Sequence, residues 1–170
     1  DAQLPGVQQC DRLADSVERD VESHVVIAID LSTSVTDDAA RLLQLRDALK
    51  TLVRDLEPAP GESPVRVKLI TFGRSIYPAT PSFSADFAAI ANKLDDIFAE
   101  RQTYVPDPNG TNLNGAINEG TLDLEDEFKV LRAATGGGIV ATGTMLSITD
   151  GADNSGVELN ARAGGRPLHG

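Results

Sequence analysis

Short runs of apolar residues mark four strands along the chain. They lie at about 24–30, 65–71, 76–80 and 144–149. The first is continuous and rich in β-branched residues, which is typical of a strand buried on both faces of a parallel sheet. The run at 76–80 contains Pro78, which has no backbone N–H to donate and therefore favours an edge position.

Between these strands, apolar residues recur every three or four positions, which predicts amphipathic helices. The apolar positions span Leu42 to Leu56, Phe87 to Phe98 and Leu113 to Leu131. Thr36 is the predicted N-cap of the first helix and Ser82 or Ser84 that of the second, because hydroxyl oxygens accept from free helical N–H groups. The alternation of strands and helices predicts an α/β fold: a three-layer α/β/α sandwich around a mostly parallel, doubly wound (Rossmann-like) sheet.

The 170 residues suffice for one domain, which we place at 24–163. Residues 1–23 are polar and mixed in charge and are predicted to form an N-terminal leader. Residues 164–170 contain glycine and proline and are predicted to form a flexible tail. Cys10 is the sole cysteine, so an internal disulfide is excluded; a free thiol, a pairing with a cysteine outside this segment and a tether all remain open.

The net charge of −11 and the pI near 4.5 change the range of expected partners. Nucleic-acid binding needs a basic surface that displaces counterions, so the composition argues against it. No apolar run approaches the roughly 20 residues of a transmembrane helix. An acidic surface suits cations, basic partners or solubility alone.

Oxygen-bearing side chains follow the predicted strands. Asp30 ends the first strand, Ser32 and Ser34 alternate along its exit, Thr111 opens a helix, and Asp150 follows the last strand. In open α/β sheets, ligands bind beyond the carboxyl ends of the strands. Two carboxylates with three hydroxyls suit Mg²⁺, with Mn²⁺ or Ca²⁺ as substitutes, and leave a coordination position for an outside ligand.

Each of these residues has an ordinary structural role when it is considered alone. Asp and Ser are common in turns, Thr111 suits a helix cap, and Asp150-Gly151 suits a turn. Their occurrence together, each at the end of the appropriate element, favours the metal site.

The combined pattern resembles the von Willebrand factor type A family and its metal-ion-dependent adhesion site. The matching residues are Asp30-Leu31-Ser32-Thr33-Ser34, Gly110-Thr111 and Thr149-Asp150-Gly151. The resemblance implies that Ser32 and Ser34 bind the metal directly, and Thr111 directly or through water. It also implies that Asp30 and Asp150 act largely through water. An acidic side chain of a partner protein commonly fills the open position in that family.

The resemblance also implies a sheet order of 3-2-1-4-5-6, of which the last two strands and their helices are not evident in this chain. We therefore expect a domain that is incomplete at its C-terminus. The strand at 144–149 would then be an exposed edge that can pair with another chain. The resemblance also favours an extracellular or bacterial cell-envelope location over a cytoplasmic one.

The leading hypothesis is a metal-dependent protein-interaction or adhesion module rather than an enzyme. The alternative is a Mg²⁺-dependent phosphohydrolase of the haloacid-dehalogenase type, with Asp30 as nucleophile. Such enzymes resemble this chain in placing an aspartate after a buried strand, but they have a second acid two residues later, where this chain has Ser32. A serine is a poor proton donor, and loss of proton transfer costs on the order of 10²–10⁴ in rate. A serine hydrolase is disfavoured because Ser32 and Ser34 lack a nucleophile-elbow context.

Overall fold

The computed structural model describes residues 20–151, and they contain one four-stranded sheet. Its strands are β1 (Asp20–Asp30), β2 (Val65–Phe72), β3 (Ile76–Pro78) and β4 (Ile139–Ile148). The order is β3-β2-β1-β4, with β2 and β4 parallel to β1 and β3 antiparallel to β2. This agrees with the predicted order as far as the described residues extend. β1 is therefore the central strand.

Five helices cover the two faces of the sheet in this part of the chain. They are α1 (Thr33–Thr36), α2 (Ala39–Asp55), α3 (Phe87–Ala99), α4 (Arg101–Tyr104) and α5 (Leu113–Thr135). None of the helices within 20–151 is long and apolar enough to span a bilayer.

Side-chain alternation along β1 divides the core into two layers. Ile27 and Ile29 belong to the cluster that contains buried residues of α2 and α3. Val26 and Ala28 belong to a second cluster, which includes Leu124 of α5. The predicted three-layer α/β/α sandwich is confirmed.

Two strands begin earlier than the hydrophobic pattern predicts. β1 starts at Asp20 rather than near 24, and β4 at Ile139 rather than Thr144. The two extensions pair with each other, Asp20 opposite Ile139. Residues 20–23 thus belong to the sheet rather than to a leader; their polar residues concealed the strand. The rest of the predicted leader (1–19, with Cys10) and the predicted tail at 164–170 lie outside the described residues.

The N-caps of the helices also differ from the predictions. The caps of α2 and α3 are Asp38 and Asp86 rather than Thr36 and Ser82 or Ser84, and the cap of α5 is Asn112. Each observed cap accepts from a backbone N–H of the first turn, as Asp38 does from Ala40 at 2.9 Å. Several Ser, Thr, Asp and Asn residues lie close together before each helix, and the tertiary course of the loop determines which of them becomes the cap.

β4 pairs with β1 alone among residues 20–151. Its other edge therefore has no strand partner in this part of the chain. The pairing of this edge with another chain stays a prediction.

Charged side chains occupy the space between α5 and the amino-terminal half of the sheet. Lys68 Nζ on β2 lies 2.8 Å from Asp123 Oδ2 on α5, and both side chains are largely buried. Arg66 on β2 hydrogen-bonds Glu22 on β1. One ion pair thus joins α5 to the sheet at this end of the interface, and a second joins β2 to β1.

His24 lies fully buried within this charged region. Its ring contacts the edges of Phe83 and Phe128, with ring centroids 5.2 and 5.6 Å away. Within residues 20–151 neither ring nitrogen has a hydrogen-bond partner. The carboxylates of Glu22 and Glu127 come within 3.4 and 3.6 Å of Nε2. Burial lowers the pKa of His24 below its usual 6.5; Arg66 acts in the same direction, and Glu22 and Glu127 oppose it.

This arrangement predicts a loss of stability in mild acid. The folded protein binds a proton at His24 more weakly than the unfolded chain does. The stability that neutral His24 gives the folded state is therefore fully present above pH 6.5 and decreases as the pH falls towards the lowered pKa. Between these values the free energy of unfolding should fall by up to about 1.4 kcal/mol per pH unit for this one proton. Urea unfolding of the wild type and of His24→Gln at several pH values tests this prediction. Equal pH slopes for the two proteins would contradict it.

Candidate metal centre

Asp30 is the last residue of β1 and is fully buried. Its Oδ1 accepts a hydrogen bond from the backbone N–H of Ser32 at 2.8 Å. Its Oδ2 accepts one from Thr149 Oγ1 at 2.6 Å. The parallel register places Ile29 opposite Ile148, so the two strands deliver Asp30 and Thr149 side by side. Both carboxylate oxygens are thus held by the protein, which fixes the orientation of the side chain.

Ser32, Ser34 and Asp150 form a continuous line of oxygen atoms beside Asp30. The Oγ atoms of Ser32 and Ser34 lie 3.2 Å apart, and Ser34 donates to Asp150 Oδ1 at 3.0 Å. Ser32 is buried, whereas the Asp150 side chain is 31% exposed. The line therefore runs from the buried end of β1 to the surface at the loop after β4.

Thr111 is buried at the end of a loop that lies against the same segment. Gly110 precedes it with a φ of 140°, a conformation that favours glycine. The carbonyl of Pro108 in this loop accepts from the backbone N–H and the hydroxyl of Thr33, at 3.0 and 3.2 Å. These bonds hold the loop that carries Thr111 beside Thr33, which lies between Ser32 and Ser34.

Two residues of this site were not predicted from the sequence. Thr149 orients Asp30, and Arg41 places its Nη1 3.9 Å from Asp150 Oδ2. Thr149 adjoins Asp150 in the sequence, so the parallel pairing of its strand with β1 could have indicated its role. Arg41 had no comparable signal, because its contact crosses 109 positions and depends on how α2 packs.

The donor set fits a hard divalent cation. It contains oxygen atoms alone, which Mg²⁺ and Mn²⁺ prefer. The oxygen–oxygen separations of 3.0 and 3.2 Å are close to the roughly 2.9 Å between neighbouring ligands of an octahedral Mg²⁺ ion. In the described part of the chain, no group of three or more His, Cys, Asp and Glu residues is arranged to hold a metal. A metal at this centre would therefore need the hydroxyl groups as ligands.

Structural comparison finds distant likenesses to several solved bacterial proteins, two of them pilus proteins. Three N-terminal domains of the type V pili tip protein Mfa5 from Porphyromonas gingivalis align with 21% identity and a TM-score of 0.49, over 62% of this chain and 18% of that chain. A mutant of the PilB minor pilin from Streptococcus sanguinis aligns with 17% identity and a TM-score of 0.47, over 64% and 27%. The conserved hypothetical protein BatB from Bacteroides thetaiotaomicron aligns with 21% identity and a TM-score of 0.46, over 71% and 65%.

These likenesses are too distant to carry an argument about activity. The chain spans about a fifth of the aligned Mfa5 structure and about a quarter of the pilin. Comparison with curated protein sequences gives no match.

The family relationship rests on a match along most of the sequence. The family model of the von Willebrand factor type A domain matches residues 24–164. This range contains most of the central strand and all five predicted metal residues: Asp30, Ser32, Ser34, Thr111 and Asp150. The chain therefore belongs to the von Willebrand factor type A domain family.

Proposed function

We propose that this domain is a Mg²⁺-dependent protein-binding module in which the ion bridges to an acidic side chain of a partner. The line of oxygen atoms through Ser32, Ser34 and Asp150 at the end of the sheet supports this proposal. Mn²⁺ or Ca²⁺ can replace Mg²⁺ at an all-oxygen centre.

The proposed ligands have different roles. Ser32 and Ser34 hold the ion directly, and Thr111 does so directly or through water. Asp30 acts through water, as the family resemblance implies, and the hydrogen bonds from Ser32 N–H and Thr149 fix the orientation of its carboxylate. Asp150 contributes charge at the exposed side. Mg²⁺ retains several waters in protein sites, and the partner carboxylate replaces one of them.

We further propose that the domain is not an enzyme. Asp30 would be the nucleophile of a haloacid-dehalogenase-type phosphohydrolase, but it is fully buried and hydrogen-bonded through both oxygens. Ser32 occupies the position of the second acid in such an enzyme and cannot supply its proton transfer. Both observations favour binding over catalysis.

The proposed setting is the bacterial cell envelope or the extracellular space. The structural neighbours named as a pili tip protein and a minor pilin belong to this setting. A module that binds a partner carboxylate through a metal ion is suited to adhesion there.

A Mg²⁺ titration by calorimetry tests the metal centre. Ser34→Ala and Asp150→Asn should each lower the Mg²⁺ affinity about tenfold or more, because each removes an oxygen or a charge next to the ion. Asp47→Asn is the matched control, since Asp47 is an exposed carboxylate of α2 paired with Arg46. A folded wild type that binds no Mg²⁺ at millimolar concentration would refute the metal centre.

A blocked peptide, acetyl-Gly-Asp-Gly-amide, tests the partner carboxylate. With saturating Mg²⁺ the peptide should shift the backbone amide resonance of Gly151, and EDTA should abolish the shift. The same peptide with Asn in place of Asp is the control. Metal binding without any response to the Asp peptide would leave the metal centre standing and refute the bridging function.

A further inference from the structure

We propose that Arg41 is a second contact for the partner carboxylate and that it makes Mg²⁺ and the partner bind cooperatively. This inference rests on the proposed function and identifies an additional residue that determines specificity. One carboxylate oxygen would bind the ion while the other accepts from the Arg41 guanidinium.

The position of Arg41 supports this role. Arg41 lies in the first turn of α2, where its backbone N–H donates to the Asp38 cap at 3.1 Å. Its side chain is 60% exposed and reaches Asp150, with 3.9 Å between Nη1 and Oδ2. The backbone is thus fixed, while the guanidinium lies at the open rim of the centre.

The other arginines of α2, and Arg101, make different contacts. Arg46 and Arg54 of α2 each pair with the following aspartate in the sequence, at 2.8 and 3.0 Å. Arg101 donates to the backbone carbonyl of Thr36 at 3.1 Å. Of the ion pairs within residues 20–151, the pair between Arg41 and Asp150 is the one that includes a predicted metal residue.

The charges around Asp150 explain the cooperativity. Without an ion, the guanidinium of Arg41 offsets the negative charge of Asp150. A bound Mg²⁺ takes over this role and repels the guanidinium, which then needs another anion. A carboxylate satisfies both cations at once, and the planar fork of arginine matches its geometry.

Two opposite effects are expected from Arg41→Gln. The affinity for Mg²⁺ alone should rise about two- to threefold, because an exposed like-charge repulsion is removed. The affinity of acetyl-Gly-Asp-Gly-amide at saturating Mg²⁺ should fall about tenfold, because a charge-assisted hydrogen bond is lost. By thermodynamic reciprocity, the peptide should also raise the Mg²⁺ affinity less in the variant than in the wild type.

Calorimetry with Mg²⁺ and NMR titration with the peptide measure these effects, and circular dichroism checks the fold. Arg54→Gln is the matched control, since Arg54 lies on the same helix about 20 Å further along it. Equal peptide affinity in the two variants would overturn the inference while leaving the proposed function intact. A lower Mg²⁺ affinity in Arg41→Gln would also overturn it, because Arg41 would then support the metal centre itself. A wild type that binds Mg²⁺ but not the peptide would refute the bridging function and this inference with it.

Discussion

Asp123→Ala is expected to destabilise the domain by roughly 3 kcal/mol, because it leaves the Lys68 ammonium buried without its partner. Lys68 is 8% exposed and lies between the sheet and α5, so little water can reach its ammonium group to take the place of the Asp123 carboxylate. For a chain of this size, the melting temperature should fall by roughly 6–12 °C. Thermal and urea unfolding measure the change.

Two further variants separate the lost partner from other effects of the substitution. The double variant Lys68→Met with Asp123→Leu should recover most of the stability, because apolar residues of similar volume can replace a buried ion pair. Lys129→Ala removes an exposed ion pair of the same helix and should cost less than about 1 kcal/mol. If Asp123→Ala is no more harmful than Lys129→Ala, the ion pair does not support the α5 interface.

Gly73→Ala is expected to disturb the proposed metal centre from a distance. A Cβ at Gly73 would lie 2.7 Å from the backbone oxygen of Asp107 and 3.0 Å from Cα of Pro108. These are backbone atoms of the loop that carries Thr111, so the loop itself must move. The Gly73 carbonyl also accepts from the backbone N–H of Asn112 at 2.7 Å, next to Thr111. We expect a loss of about 1–3 kcal/mol in stability and a fall of about tenfold in Mg²⁺ affinity.

Gly61→Ala is the control for this prediction. Gly61 has a φ of 91°, so alanine is strained there, but no atom lies within 4 Å of the added Cβ. This variant should lose stability while keeping the Mg²⁺ affinity of the wild type. If both glycine variants bind Mg²⁺ as the wild type does, the Thr111 loop does not take part in metal binding.

The local pattern of the sequence was sufficient for the architecture and the five proposed metal residues. A continuous apolar run ending in Asp30 identifies a buried strand and its carboxyl end, because a strand that is buried on both faces is rich in apolar side chains. The periodicity of α2 and α3 was equally clear, since each buries one stripe of leucines and other apolar residues. The oxygen-bearing residues could be recognised because each follows such an element.

The tertiary structure decided what depends on neighbours distant in the sequence. Residues 20–23 are mostly polar, and they become a strand because this segment pairs with its neighbours on both sides, as Ser23 does with Val65 and Thr142. The choice of Asp38 as a cap, the hydrogen bond from Thr149 to Asp30 and the reach of Arg41 to Asp150 follow from packing in the same way. The sequence by itself thus determined the apolar faces of the main elements and the chemistry of the proposed metal residues, since hydrophobic periodicity and residue type are local properties. The contacts among those residues required the fold, because each joins segments that only the completed sheet brings together.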